Sequence, residues 1–260
     1  MVHDVVTIAP ENTLYETARI MGEKHVGSLI VVKYDAPVGI LTERDLLREV
    51  VSREIKLEKD WLAGGVTINE EKIEDVMSFP LIKVSLKSTI KEAAQTMIEK
   101  KIRRLAVHEN AKVVGIITSA DLIRSLPEIP ETMHVWFEVD YFMSKSVLTA
   151  DEETPVEDVA KIMGEKSIGS VIVTLNEEPI GIFSERDLLT KFLAKDRSLK
   201  IEVGKVCSSP HITAPLGISL HDAAAIMVSK HIKRLPITKN GKLVGFLSAR
   251  DLVEAYARAK

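Results

Sequence analysis

The stretch "GILTERDLL" at residues 39–47 returns as "GIITSADLI" at 115–123, "GIFSERDLL" at 181–189 and "GFLSARDLV" at 245–253. Each copy has a glycine, two apolar residues, a Thr or Ser, two variable residues, then Asp and Leu. The four aspartates, Asp45, Asp121, Asp187 and Asp251, are spaced by 76, 66 and 64 residues. That interval is longer than a solenoid repeat and close to a small domain, so the chain divides into four tandem units.

The likeness runs upstream of the motif. "HVGSLIVV" at 25–32 matches "SIGSVIVT" at 167–174, and "KIRRLAV" at 101–107 matches "HIKRLPI" at 231–237. Copies one and three are therefore one type and copies two and four another, in the order A-B-A-B, as if a pair had duplicated. Each copy opens with a Ser/Thr-x-x-acid capping box: "TLYE" at 13–16, "TIKE" at 89–92, "TPVE" at 154–157 and "SLHD" at 219–222. Pro155 then takes the first helical position. Apolar residues follow at i, i+4 and i+7: Leu14, Ala18, Met21; Ile90, Ala94, Met97; Val156, Ala160, Met163; Leu220, Ala224, Met227. This spacing predicts a helix with one buried face. Two short strands and a tight turn come next, with Asn240-Gly241 the clearest hairpin signal. A second helix starts at the motif. The expected unit is strand–helix–strand–strand–helix, and the fold class α+β.

Met1, Met77, Met143 and Cys207 occupy one position ahead of the four units. The expected boundaries are 1–56, 74–126, 140–196 and 204–260, with residues 127–139 linking the two pairs. The prolines of "LPEIPETMHVWFEV" at 126–139 mark that linker, and Trp136 and Phe137 are expected to pack down. The extra length between copies one and two falls around "DWLAGGVTINEE" at 60–71.

Composition narrows the function. The chain has 260 residues, is 45% hydrophobic, and carries a net charge of −3 with 28% charged residues. A substantial core is expected. No bulk positive charge exists to hold nucleic acid. The single cysteine, Cys207, cannot form an intrachain disulfide or a Cys-rich metal site. No apolar run approaches the roughly 18–20 residues of a membrane helix. The start, "MVHDVVTIAP", lacks a signal-peptide pattern. A cytoplasmic protein is expected. The histidines show no metal-ligand spacing, and Cys207 stands where a Met stands elsewhere, as a small apolar filler rather than a nucleophile.

Together these residues resemble the cystathionine-beta-synthase (CBS) domain: V-M before the first strand, a capped helix ending near Met, a strand, a hairpin, then G-h-h-T/S-x-x-D. The resemblance covers nearly the whole chain. It implies four CBS domains in two pseudo-two-fold pairs forming a disc, similar in layout to the gamma subunits of AMP-activated protein kinase. It further implies clefts that bind adenosine compounds and report ligand state to a partner.

The motif itself admits two accounts. Thr42, Thr118, Ser184 and Ser248 could cap the second helix, with the aspartate favouring its positive end. The same place attracts phosphate, and an Asp there can accept from ribose hydroxyls. By resemblance, Asp45, Asp121, Asp187 and Asp251 hold ribose and the four hydroxyls meet phosphate. Arg44, Arg186 and Arg250 precede the aspartate in three copies, and Ala120 in copy two. Copies two and four open the strand with Arg103-Arg104 and Lys233-Arg234, where phosphate would be clamped. Adenine is expected against Val26, Ile102, Ile168 or Ile232, beside Gly169 in copy three, and against the lead Met or Cys. Met1, at a chain terminus, makes copy one the weakest site.

The expected function is a regulatory sensor of AMP, ADP or ATP. S-adenosylmethionine or another adenosyl ligand, and a ligand-free adaptor that docks partners, are the alternatives. An enzyme related to IMP dehydrogenase would need a barrel, a phosphate loop and a catalytic-Cys loop that the sequence lacks. No catalytic residue, metal or cofactor is assigned. The expected partners are the nucleotide and a regulated protein, with a homodimer allowed, and neither nucleic acid nor membrane.

Overall fold

The computed structural model repeats strand, helix, hairpin and helix four times. It describes residues 1–54, 72–110, 112–125, 138–176, 178–195, 197–208 and 212–258. Copy one comprises β1 (Thr7–Ile8), α1 (Leu14–Glu23), β2 (Ser28–Lys33), β3 (Ala36–Thr42) and α2 (Glu43–Glu54). A one-turn helix, α3 (Ile73–Val76), leads into β4 (Lys83–Ser85), α4 (Ile90–Glu99), β5 (Arg104–Glu109), β6 (Lys112–Thr118) and α5 (Ser119–Ser125). Copy three follows the 3-10 turn Val139–Tyr141 with β7 (Thr149–Asp151), α6 (Val156–Glu165), β8 (Ser170–Leu175), β9 (Glu178–Ser184) and α7 (Glu185–Lys191). Copy four follows the 3-10 turn Val203–Lys205 with β10 (Ala214–Pro215), α8 (Leu220–Ser229), β11 (Arg234–Lys239), β12 (Lys242–Ser248) and α9 (Ala249–Arg258). The expected α+β class and element order are what form.

Each copy is a three-stranded sheet, its first strand parallel to the second and the second antiparallel to the third. The register is the same throughout. Val31, Val107, Val173 and Ile237 face Gly39, Gly115, Gly181 and Gly245, and a bulge follows each pair. Asn240 and Gly241 both take positive φ, 52° and 79°, as a tight hairpin turn requires.

The capping boxes form at Thr13 with Glu16 and at Thr89 with Glu92, and Ser219 accepts from the Asp222 N–H. Copy three departs from expectation. Pro155, not Thr154, is the N-cap, and no side chain caps α6. The repeat places Pro155 where Thr13 stands, and Glu157 and Asp158 in the first turn favour the helix end instead. The predicted apolar stripe is buried at every position but one: Ile90 is 39% exposed.

Helix packing sorts the copies into two compact units. In one, α2 lies against α6 and α7, and α1 against α7 and the turn Leu193–Lys195, closing a core over copies one and three. In the other, α4 and α5 pack on α9, and α5 on α8, closing a core over copies two and four. The lead segments are exchanged. Val2 bridges Ile116 of copy two, and Ser78 bridges Ile40 of copy one. Ser144 bridges Phe246 of copy four, and Ser208 bridges Ile182 of copy three. The insertion at 60–71 and the linker with Trp136 and Phe137 lie outside the described residues. Glu138 and Val139, assigned to that linker, already belong to the lead turn: Glu138 bridges Ser219 and Val139 is fully buried.

Candidate functional site

The motif sits where the third strand of each sheet turns into a helix. The first helical N–H donates to the residue that opens the middle strand: Glu43 to the Gly27 carbonyl (3.3 Å), Ser119 to Arg103 (3.0 Å), Glu185 to Gly169 (3.1 Å) and Ala249 to Lys233 (2.9 Å). Arg104 pairs in register with Thr118, and Arg234 with Ser248. In copies two and four the chain therefore carries its basic pair alongside its own motif.

All four boxes are closed. The Thr42 N–H and Oγ1 donate to Asp45 Oδ2 at 2.8 and 2.7 Å, and Thr118 does the same to Asp121 at 2.8 and 2.7 Å. Ser184 donates to Asp187 Oδ2 at 3.0 and 2.5 Å, and Ser248 to Asp251 Oδ2 at 2.7 and 2.7 Å. The hydroxyl protons assigned to phosphate thus point inward at the aspartate. One carboxylate oxygen of each aspartate caps, and the other, Oδ1, is what a ribose could use.

Oδ1 separates the copies. Arg124 holds Asp121 Oδ1 at 2.6 Å. Lys191 holds Asp187 Oδ1 at 2.7 Å, and the Ser208 hydroxyl donates to it at 3.1 Å. Arg48 lies 3.5 Å from Asp45 Oδ1. Among the described residues nothing bonds Asp251 Oδ1. Three and four residues on, copy four has Glu254 and Ala255, where the others place a cation. The Asp251 carboxyl is accordingly raised above the ordinary carboxylate range, first by burial and further by Glu254, against the lowering effect of the Ser248 bonds and Arg250.

The motif arginines separate in the same way. Arg44 Nε donates to Glu185 Oε1 (3.0 Å) and Arg186 to Glu43 Oε1 (3.2 Å), a reciprocal pair joining copies one and three. Arg186 also donates to the His25 carbonyl at 2.6 Å. Both glutamates are buried. These two arginines, expected to meet phosphate, are held by carboxylates. Copies two and four have Ser119 and Ala249 at the glutamate positions. Among the described residues no hydrogen bond or ion pair holds Arg250.

The apolar candidates Val26, Ile102, Ile168 and Ile232 are half-buried against the two cores. The lead sulfurs pack onto the motif glycines: a Cβ on Gly39 would lie 2.6 Å from Met77 Sδ, and one on Gly181 would lie 2.5 Å from Cys207 Sγ. Met143 meets Gly245 and Met1 meets Gly115 in the same manner. A Cβ at any of these four glycines would crowd the lead Met or Cys and force it to shift. Met1 lies on copy two, not on copy one. Burial raises the Cys207 thiol, consistent with a packed filler. His25 and His231, with Lys101 and Ser167, take φ near +54° after the first helix, a left-handed turn that places them by backbone need.

Sequence reasoning missed Arg48, Arg124, Lys191, Glu43 and Glu185. The first three stand three or four residues after the aspartate, a spacing that brings helical side chains together. The glutamates face partners about 140 residues away, and no local signal reveals them.

The CBS-domain family profile matches residues 1–52, 73–128, 138–194 and 203–258. The chain is 37% identical over 132 residues to the uncharacterized protein MK0525 of Methanopyrus kandleri, covering 50% of this chain and 62% of that one. It is 31% identical over 182 residues to MJ1225 of Methanocaldococcus jannaschii, covering 64% of this chain and 65% of that one. These matches span less than two thirds of either relative. The crystal structure of MJ1225, described as a candidate archaeal homologue of γ-AMPK, superposes with a TM-score of 0.78 at 21% identity, covering 97% of this chain and 96% of that one. An uncharacterized conserved protein from Pyrococcus horikoshii superposes with a TM-score of 0.64 at 23% identity, over 98% and 97% of the two chains. Both likenesses are of fold.

Proposed function

The chain belongs to the CBS-domain family, and we propose that it is a regulatory protein that binds AMP, ADP or ATP and passes ligand state to a partner protein without catalysing a reaction. One observation carries the reading. Among the described residues copy four alone has both a motif arginine that no hydrogen bond or ion pair holds, Arg250, and an aspartate oxygen that none holds, Asp251 Oδ1. A ribose diol donates two hydrogen bonds, and a carboxylate oxygen left open beside a helix start is a matching acceptor. Phosphate recognition falls to Arg250 with Lys233 and Arg234, which the strand register sets beside Ser248. Guanidinium groups suit phosphate because they present paired donors. Ile232 supplies an apolar flank for the base. Copies one, two and three keep the box and use Oδ1 within the protein, so their aspartates serve mainly as caps.

The adaptor reading has one observation behind it: in all four boxes the aspartate already accepts from the N–H and hydroxyl of its own Thr or Ser. No described helix is long and apolar enough to cross a membrane, and a cytoplasmic place belongs to the same proposal, as does the absence of a cofactor. Titration calorimetry of ligand-stripped protein with AMP, ADP, ATP and S-adenosylmethionine separates the readings. Saturable binding of a phosphate-bearing ligand that Arg250→Ala weakens supports the sensor. Binding of S-adenosylmethionine alone, indifferent to Arg250, changes the ligand class. No binding in folded protein leaves the adaptor.

A further inference from the structure

We propose that copy three is a latched nucleoside site: Lys191 and Ser208 fill, from within the protein, the acceptor that a ribose would use, and opening the site unties the lead segment of that copy in the same event. This rests on the ribose role given above to the motif aspartate. Asp187 uses Oδ2 in the box with Ser184. Its other oxygen, Oδ1, accepts from the Lys191 ammonium at 2.7 Å and from the Ser208 hydroxyl at 3.1 Å. Two donors on one carboxylate oxygen are what the two hydroxyls of a ribose supply. The protein thus presents its own substitute for the diol. The Lys191 side chain is 35% exposed, so a displaced ammonium turns to water rather than into the core.

The substitute is also a tie. An ammonium has three donors, and Lys191 gives a second one to the Val206 carbonyl at 2.6 Å. Ser208 lies two residues further along the same lead segment. One lysine and one serine therefore fasten residues 206–208 to the start of α7. Beyond the tie, Cys207 packs on Gly181, and Ser208 exchanges backbone hydrogen bonds with Ile182 at 2.8 and 3.2 Å. Copy one repeats the arrangement in looser form. Arg48 lies 3.5 Å from Asp45 Oδ1 and 3.4 Å from the carbonyl of Val76, the residue before Met77 as Val206 is the residue before Cys207. Two different cations, three and four residues after the aspartate, reach the same pair of acceptors. Copy four has Glu254 and Ala255 at those two positions, neither of them a cation. The ligand of copy three is set by what surrounds it. Arg186 is held by Glu43 and the His25 carbonyl, and Gly169-Ser170 stand where copy four has its basic pair. Phosphate gains little there, so the matching ligand class is a nucleoside recognised through its diol.

The test titrates adenosine and AMP calorimetrically into ligand-stripped wild-type protein, Lys191→Met and Lys191→Ala, each shown to be folded. The first variant keeps the apolar stem, and the second reproduces the alanine of copy four. Both should show an added adenosine site at least about tenfold tighter than any such site in wild type, since a charge-assisted bond no longer competes for Oδ1. Adding Asp187→Asn should abolish the gain. Without ligand, deuterium exchange at the Ser208 amide should be about tenfold faster in both variants and unchanged in Lys195→Met. Equal adenosine binding in wild type and both variants overturns the latch. A gained site with unaltered exchange overturns it too, because the site would then open without untying the lead segment. Tighter binding of AMP than of adenosine at the added site overturns the assignment to a nucleoside. The copy-four reading is judged separately, by wild type against Asp251→Asn, so its failure is not mistaken for failure of the latch.

Discussion

A carboxylate that caps a helix with one oxygen keeps the other for a second task, and here that task differs between copies. Asp187 gives Oδ1 to Lys191 and Ser208, while Asp251 gives it to nothing among the described residues. Asp187→Ala therefore removes a cap worth about 0.5–2 kcal/mol together with an ion pair, and should lower the melting temperature without ligand. Asp251→Asn keeps an oxygen for Ser248 and removes a carboxylate that burial disfavours. It should leave ligand-free stability at neutral pH unchanged or higher while abolishing nucleotide binding. The pH dependence follows from the raised carboxyl. A folded state that holds its proton more tightly than the unfolded chain loses stability as pH rises from the ordinary carboxylate range through the raised value. Asp251→Asn should flatten that part of a melting-versus-pH profile. Arg44→Ala belongs at the same scale. It strips an ion pair from Glu185, whose side chain is 2% exposed. The loss should be about 1–3 kcal/mol by denaturant melting, below that of a fully buried pair because the guanidinium side is open to water.

At the scale of elements, the repeated glycine is explained by the lead segment rather than by a turn. Gly181→Ala would place a Cβ against Cys207 and the Ser208 carbonyl. Overpacking of this kind typically costs about 1–3 kcal/mol. Gly241→Ala lies in open space and is penalised only by its positive φ of 79°. Melting of the two variants should rank Gly181→Ala as the more damaging, and the reverse order would contradict the packing account. Much of this was legible in the sequence. Period-2 and period-3.6 patterns, capping boxes and Asn240-Gly241 are local signals, and they mark every element of the unit. The exchange of lead segments was not legible, since Met77 meets Gly39 across 38 residues of chain with no periodic cue. Thr154 was misassigned because "TPVE" satisfies the box pattern one residue early. Only the register of the whole repeat puts Pro155 at the cap.

For the whole molecule, four copies share one strand register and differ in the residues around the motif. The unit of copies one and three is locked by Glu43–Arg186 and Glu185–Arg44. The unit of copies two and four lacks those glutamates, and among the described residues no hydrogen bond or ion pair holds Arg250 or Asp251 Oδ1.

The central claim is that copy four holds the working nucleotide site. It is tested most directly by calorimetric titration of AMP, ADP and ATP into ligand-stripped wild-type protein, Asp251→Asn and Asp45→Asn, each shown to be folded. The account predicts one saturable site per chain in wild type and in Asp45→Asn, and none in Asp251→Asn. Binding that survives Asp251→Asn, or that disappears with Asp45→Asn instead, would contradict it.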